Sequence, residues 1–450
     1  MIHLKSIPQI TETTTPTYKH MKPTTILAGV SAFALASSAY ADVTVDITGA
    51  TAFRAATLLS IKARYDASGV AYQYSHDQAA GSYSGATLSI WKGTFPGVSG
   101  VTTIRTSFNG SVEGILALVS SPAEDPLYYT SISGNFVTAA AIGGGETHTA
   151  TAGFAKTTAK SQSEIAFSDV NKASTPYSGF ALLPADPTVG VVVFTMLTNE
   201  GSTVANVTTQ QFRALMTTGY QPLSLFTGIQ ANTTNVFATG RNDGSGTRTT
   251  YLAETGYGVS NPVKQYVTTA SSATALSTIQ LVPAGGGATP ANASTVWGQD
   301  IAGNGGYSSG STLRTDMGKT GTAVNVLDET GANIFGGTVR ADLVTFLSLN
   351  DAITARGLGA VFCSYNGVRL NDIATSGSTM SAVDLAKVTN GSYTAWGYEN
   401  MYRRSDLVSG DTVTVYNGIK NAIPANLGAA GVAISAMAVG REVDGGIVAP

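Results

Sequence analysis

A chain of 450 residues with 43% hydrophobic content is long enough for two domains and apolar enough for real cores, so extended disorder is excluded. Only 12% of residues are charged and the formal net charge is −3, which argues against a nucleic-acid binder, a class that is normally basic. A single cysteine, Cys363, rules out an intrachain disulfide, and its Phe362-Cys363-Ser364 setting reads as a buried strand rather than a reactive thiol.

The N-terminus has the layout of a signal peptide. Lys19, His20 and Lys22 form a basic region, Ile26–Leu35 an apolar core, and Ala39-Tyr40-Ala41 a small-x-small cleavage site, with Met21 as a possible true start. The apolar run is too short to span a bilayer. The expected mature chain begins near Asp42, with 22 basic and 27 acidic residues left of the full 25 and 28. It is expected in the periplasm or secreted. Its two histidines, His76 and His148, have no Cys, Asp or Glu at metal-ligand spacing, so no metal site and no cofactor are expected.

Val43–Ile47 alternates apolar and polar like a strand, and Thr48-Gly-Ala-Thr-Ala-Phe53 turns it into a helix over Arg54–Arg64. Strands are expected within Ala71–Gly100, including Ala86–Trp91, and again over Val101–Thr106. Asn109-Gly-Ser111 then opens a helix over Val112–Ser120. A Thr/Ala/Gly-rich insertion covers 121–162. Glu164–Asp169 reads as a strand ending in a hydroxyl and a carboxylate. The apolar run Val189–Leu197 is long enough for a buried crossing strand, and a helix follows over Asn206–Met216.

Arg241-Asn-Asp-Gly-Ser-Gly-Thr247 is the most informative stretch. It lies between an expected strand, Thr234–Thr239, and an expected helix, Arg248–Thr255, with Gly256 closing the helix. A glycine-hydroxyl turn at a helix N-terminus presents backbone N–H groups and the positive end of the helix dipole to an anion. Ser245 and Thr247 add hydroxyls, and Arg241 adds a fork suited to a tetrahedral oxyanion. Asp243 repels an anion unless it is offered a proton. Beyond it, Gly256–Gln299 reads as irregular and Gly305–Ser311 leads into a helix over Thr312–Met317. A helix is expected over Val339–Asn350, a buried strand over Gly359–Tyr365, an aromatic strand over Gly391–Tyr402 and a helix over Thr412–Ala422.

Strands alternating with helices indicate an α/β architecture, in which ligands collect beyond the carboxyl ends of the strands. Enzyme readings fare poorly. Gly306-Tyr-Ser-Ser-Gly310 fits the nucleophile-elbow spacing, but no strand-like run precedes it and no histidine follows position 148. Asp169 and Asp243 are formally a carboxylate pair, yet a glycosidase cleft is richer in acids and exposed aromatics. No G-x-x-x-x-G-K is present, which excludes a P-loop.

Arg241–Thr247 closely resembles the R-x-D-G-S-G-T signature of periplasmic phosphate-binding proteins, the solute receptors of ABC-type phosphate importers. Thr48–Phe53 resembles that family's T-G-A-G-A-T-F turn, one residue shorter. Asn109–Ser111 stands where the family has G-S-S-G-G. Phe167-Ser-Asp169 resembles its G-A-S-D strand end, and Gly357-Leu-Gly-Ala-Val361 its G-x-I-G-Y-V strand. The matches fall in family order across most of residues 42–410.

The resemblance implies a two-lobed type 2 periplasmic-binding-protein-like α/β fold with two crossover strands and a central cleft. Lobe 1 would hold 42–188 and 393–450, and lobe 2 would hold 189–392. It implies contacts to inorganic phosphate from Thr51, Phe53 (backbone N–H), Ser111, Asp169, Arg241, Ser245, Gly246 and Thr247, with Asp243 alongside. The expected protein is a monomer without catalysis that delivers phosphate to an inner-membrane ABC permease. The alternative is a structural or surface-interaction protein that keeps the fold without transport. The insertions at 121–162 and 257–300 depart from the pattern and put the outer surface and permease docking in question.

Overall fold

The computed structural model describes residues 41–78, 82–120, 125–131, 137–139, 157–282, 305–370, 380–428 and 431–450. The expected leader up to residue 40, the glycine triplet 143–145 and much of both expected insertions lie outside the described residues.

The first half is built by β1 (Val43–Gly49), α1 (Arg54–Asp66), β2 (Tyr72–His76), β3 (Leu88–Gly93), β4 (Thr102–Ser107), α2 (Ser111–Val119) and β5 (Ile165–Ser168). β1 runs parallel to both neighbours, Val45 opposite Ile104 of β4 and Ile47 opposite Ile165 of β5. All three parallel strands therefore end on the same edge of the sheet. Helices α1 and α2 follow β1 and β4 by short glycine turns, the βα arrangement expected of a parallel sheet.

β6 (Thr188–Thr198) then crosses into the second half. Its inner residues, from Val189 on, are buried almost without a break, as befits a strand covered on both faces. The second half adds α3 (Thr209–Thr218), β7 (Asn235–Ala238), α4 (Gly246–Glu254), β8 (Tyr266–Ser271), β9 (Leu276–Leu281), α5 (Gly310–Met317), β10 (Val324–Leu327), β11 (Asn333–Val339), β12 (Ala341–Ser348) and α6 (Leu349–Gly357). β13 (Trp396–Arg404) leads back to the first half, followed by α7 (Asp411–Ala422).

The sheet joins the halves through these strands. Val191–Val193 of β6 pair with Tyr398–Trp396 of β13, while Phe194–Thr198 pair antiparallel with Ser348–Val344 of β12. β13 in turn pairs with β5, Asn400 opposite Ser168. One fourteen-stranded sheet thus runs through both halves, and β8 to β11 form a separate four-stranded sheet. β7 and β12 are parallel, Phe237 opposite Leu343, so the second half also presents carboxyl strand ends at a common edge. No helix of the described residues is long and apolar enough to cross a membrane.

Several local expectations need correction. Val339–Asn350 is not a helix: Ala341–Ser348 is the buried strand β12, and Leu349 opens α6. Both faces of β12 are covered, so its apolar residues show no period of two. Gly256–Gln299 is not irregular throughout, since β8 and β9 form an antiparallel hairpin. The helix expected from Asn206 starts at Thr209, where Thr208 and Gln211 make a capping box. Gly359–Tyr365 divides into two short strands around Cys363, which is buried with its thiol pushed up to about 12 by desolvation.

Candidate functional site

The turns after β1, β4, β5 and β7 meet at one place. Ala50 N donates to Phe167 O (2.8 Å) and Gly110 N to Gly49 O (3.0 Å), tying the three first-half turns together. Val112 N then donates to Gly244 O (3.1 Å), joining the N-terminus of α2 to the Arg241–Thr247 turn of the second half. Gly110 has φ +134°, and a Cβ there would stand 2.4 Å from Gly244 O, so this approach of two backbones requires glycine.

Asp169 is at the centre, 1% exposed. Ser111 Oγ donates a short hydrogen bond to Asp169 Oδ1, and Thr247 Oγ1 donates to Oδ2 (3.4 Å). Ser111 Oγ also accepts from Asp169 N (3.2 Å). The α4 N-terminus rests directly on the carboxylate, since a Cβ on Gly246 would be 1.6 Å from Asp169 Oδ1. The backbone is held from the sides: Thr250 Oγ1 donates to Asp169 O (3.2 Å), and Asn400 Nδ2 donates to Ser168 O and Val170 O. Desolvation raises the carboxyl to about 6, against the opposing pull of Ser111, Arg241 and Thr247.

Arg241 approaches from β7, 2% exposed. Its Nη1 donates to Thr51 Oγ1 of the first half (3.1 Å), its Nε to Tyr307 O (3.0 Å) and its Nη2 to Ser308 O (2.9 Å). Burial lowers its pKa to about 10, while Asp351 and then Asp169 favour the charged form. Among the described residues no ion pair joins Arg241 to either carboxylate, so both act on it from beyond contact distance. Ser111, Asp169, Gly246 and Thr247 are thus brought into contact as one group, and Arg241 with Thr51 forms a second that acts on Asp169 through its charge.

The other expected contacts have different surroundings. The Phe53 ring packs on Phe167 at 6.1 Å, and its carbonyl accepts from Thr57 N at the start of α1. Ser245 caps α4, its hydroxyl accepting from Arg248 N (3.4 Å). Asp243 lines, with Glu113, Tyr177 and Arg248, a separate cavity of about 410 Å³. There it favours the charged form of Arg248, which burial draws down to about 10.

Three features were not legible in the sequence. Tyr307 and Ser308 serve Arg241 through backbone carbonyls, a role any residue type fills. Tyr307 is anchored for it, donating to Asp316 Oδ2 (2.8 Å) and accepting from Thr268 N (2.9 Å). Asp351, at the start of α6, supplies counter-charge from a segment not recognised as following a strand. Glu399 of β13 is fully buried beside Asp169, and neither of its carboxylate oxygens has a hydrogen-bond partner among the described residues. No group of three His, Cys, Asp or Glu side chains among the described residues could hold a metal ion.

No protein-family model matches the chain, and no curated protein matches it significantly. Among solved structures it is similar to one from Clostridium perfringens, titled as a phosphate ABC transporter substrate-binding protein with bound phosphate. Identity is 11% and the TM-score 0.39, over 87% of this chain and 99% of that one. An ABC-type phosphate transport receptor from Vibrio cholerae matches at 10% identity and TM-score 0.39, over 84% and 93%. A phosphate-binding protein from Stenotrophomonas maltophilia matches at 13% and 0.34, over 86% and 90%. All three are phosphate proteins by title. Likeness at this level assigns no ligand to the present chain, whose own cluster has to be judged on its chemistry.

Proposed function

We propose that this chain is an extracytoplasmic solute-binding protein that takes inorganic phosphate between two lobes, 42–188 with 393–450 and 189–392. In this reading it acts as a monomer, catalyses nothing and delivers its ligand to an ABC-type permease. The observation that supports it is the convergence of Thr51, Ser111, Asp169 and the Arg241–Thr247 turn from four separate strand ends on two halves of the sheet. As they stand, Asp169 is bonded to Ser111 and Thr247, and Arg241 to Thr51, so the cluster is closed on protein partners. A phosphate ion would enter as the halves part, replacing Asp169 as partner of Ser111 and Thr247, and Thr51 as partner of Arg241.

Asp169 would supply the selectivity. Phosphate near neutral pH still carries a proton to donate to an ionised carboxylate, and sulfate has none. Facing an unmatched acceptor costs an ion roughly 1–3 kcal/mol, about tenfold or more in affinity. Calorimetry on the mature chain tests this. Sub-micromolar phosphate binding is expected, with at least about tenfold preference over sulfate near pH 8. Because the Asp169 carboxyl is raised to about 6, it becomes a donor as pH falls through that value, and the preference should shrink toward about pH 5. Asp169→Asn should erase it at both pH values.

The same closed cluster favours a second reading, a binding-protein fold kept for structural or surface interaction. Arg241 and Asp169 already have partners within the protein, as a locked internal network would require. Absence of phosphate binding at millimolar concentration would decide for this alternative.

A further inference from the structure

Arg54 is the first residue of α1 and is only 7% exposed. Among the described residues its guanidinium makes no hydrogen bond and no ion pair. It lines two adjoining cavities, of about 290 and 380 Å³, the larger one mainly polar, and Arg314 of α5 lines both with it. Ser84, Thr87, Gln78 and Ser311 border the larger one. Ser111, Asp169, Arg241 and Thr247 line neither, so this space is separate from the Asp169 cluster and touches it only at Thr51.

The charges around Arg54 leave it in need of a partner. Asp351 is the acid that most favours its charged form, but it accepts from Arg314 Nη1 (2.7 Å) and from Ser348 Oγ (3.4 Å). Asp77 is engaged by the amides of Thr87 (3.0 Å) and Leu88 (3.2 Å). Burial lowers the Arg54 pKa, Asp351 and Asp77 raise it, and Arg314 lowers it further. The Arg54 guanidinium faces the cavity with no carboxylate in contact among the described residues, so its five N–H donors are available to an anion that enters. Hydroxyl and amide groups at the border are suited to the remaining oxygens of a bound anion. The space is many times the ~30 Å³ share of one water.

We propose that the Arg54–Arg314 cavity is a second oxyanion site, independent of the Asp169 cluster and of its assignment to phosphate. Among the described lining residues the one carboxylate, Asp351, is already paired with Arg314. An anion therefore needs no proton to enter, and sulfate should bind at least as well as phosphate. This is the reverse of the selectivity expected at Asp169, and it separates the two sites experimentally.

Sulfate titration of the mature chain by calorimetry, with sodium chloride at matched ionic strength as reference, provides the test. Saturable sulfate binding is expected, with a component that is weakened at least about tenfold in Arg54→Gln and is still present in Asp169→Asn. Arg54→Gln could disturb α1, so Ser311→Asp serves as the second variant. It places a carboxylate in the first turn of α5, where the helix dipole favours it, and it should still abolish sulfate binding. Sulfate binding of equal strength in wild type, Arg54→Gln and Ser311→Asp overturns the proposal, as does a wild-type response no larger than that to chloride. Phosphate binding that depends on Asp169, with no saturable sulfate binding, would remove this site and leave the first. The converse result would remove the first and leave this one.

Discussion

Arg241→Met is expected to lower stability by about 2–4 kcal/mol, a large share of what holds an ordinary domain together. Methionine fills much of the volume, so cavity formation is a minor part. Tyr307 O would keep the amide of Asn242 as a donor, but Ser308 O and Thr51 Oγ1 lose the guanidinium. The electrostatic consequence is larger. Asp169 and Asp351 both favour a charged Arg241, and without it Asp169 stays buried with only hydroxyl donors. Deleting a buried charge also relieves its own desolvation, which offsets part of the loss and keeps the figure below that of a severed buried ion pair. Urea unfolding near pH 8 measures the difference. Arg241→Lys, which keeps charge and loses the fork, should fall between wild type and methionine. A loss under about 0.5 kcal/mol in the methionine variant would mean that the guanidinium does not join the halves as described.

The sequence disclosed this cluster unevenly, for physical reasons. Arg241, Ser111, Asp169 and Thr247 were legible because each contributes a side chain of fixed chemistry at a strand-to-helix turn, where glycines mark the close approaches. The same logic could not tell Asp169 from Asp243. Both are acids beside glycine turns, and only the fold distinguishes the one buried with Ser111 and Thr247 from the one that acts on Arg248. Strand β12 was misread as helix because burial on both faces removes the alternation that marks a half-exposed strand. That error also hid Asp351, whose position after a strand end makes it part of the charge balance around Arg241 and Arg54. Arg54 itself read as an ordinary first-turn residue, since nothing local shows which cavity a helix start will face.

Glu399 predicts the strongest pH dependence. It is fully buried on β13, neither oxygen has a hydrogen-bond partner among the described residues, and burial with the nearby Asp169 raises its carboxyl well above the ordinary range. Asp169 is raised to about 6 and Glu164 to about 7, each mainly by desolvation. A carboxyl whose folded pKa exceeds its unfolded one contributes stability fully present below the unfolded value, near 4. That contribution is lost as pH rises through the folded value, because only the unfolded state releases the proton freely. The folded chain should therefore be more stable near pH 5 than near pH 8, opposite to a protein governed by salt-bridged carboxylates. While Glu399 stays protonated in the fold, it alone contributes a slope of about 1.4 kcal/mol per pH unit. Glu399→Gln keeps the shape and removes the titration. It should be nearly neutral at pH 5 and increasingly stabilising as pH rises toward 8. Parallel pH profiles for wild type and Glu399→Gln would show that this carboxyl ionises in the fold as readily as in the open chain, and the account of its burial would then be wrong.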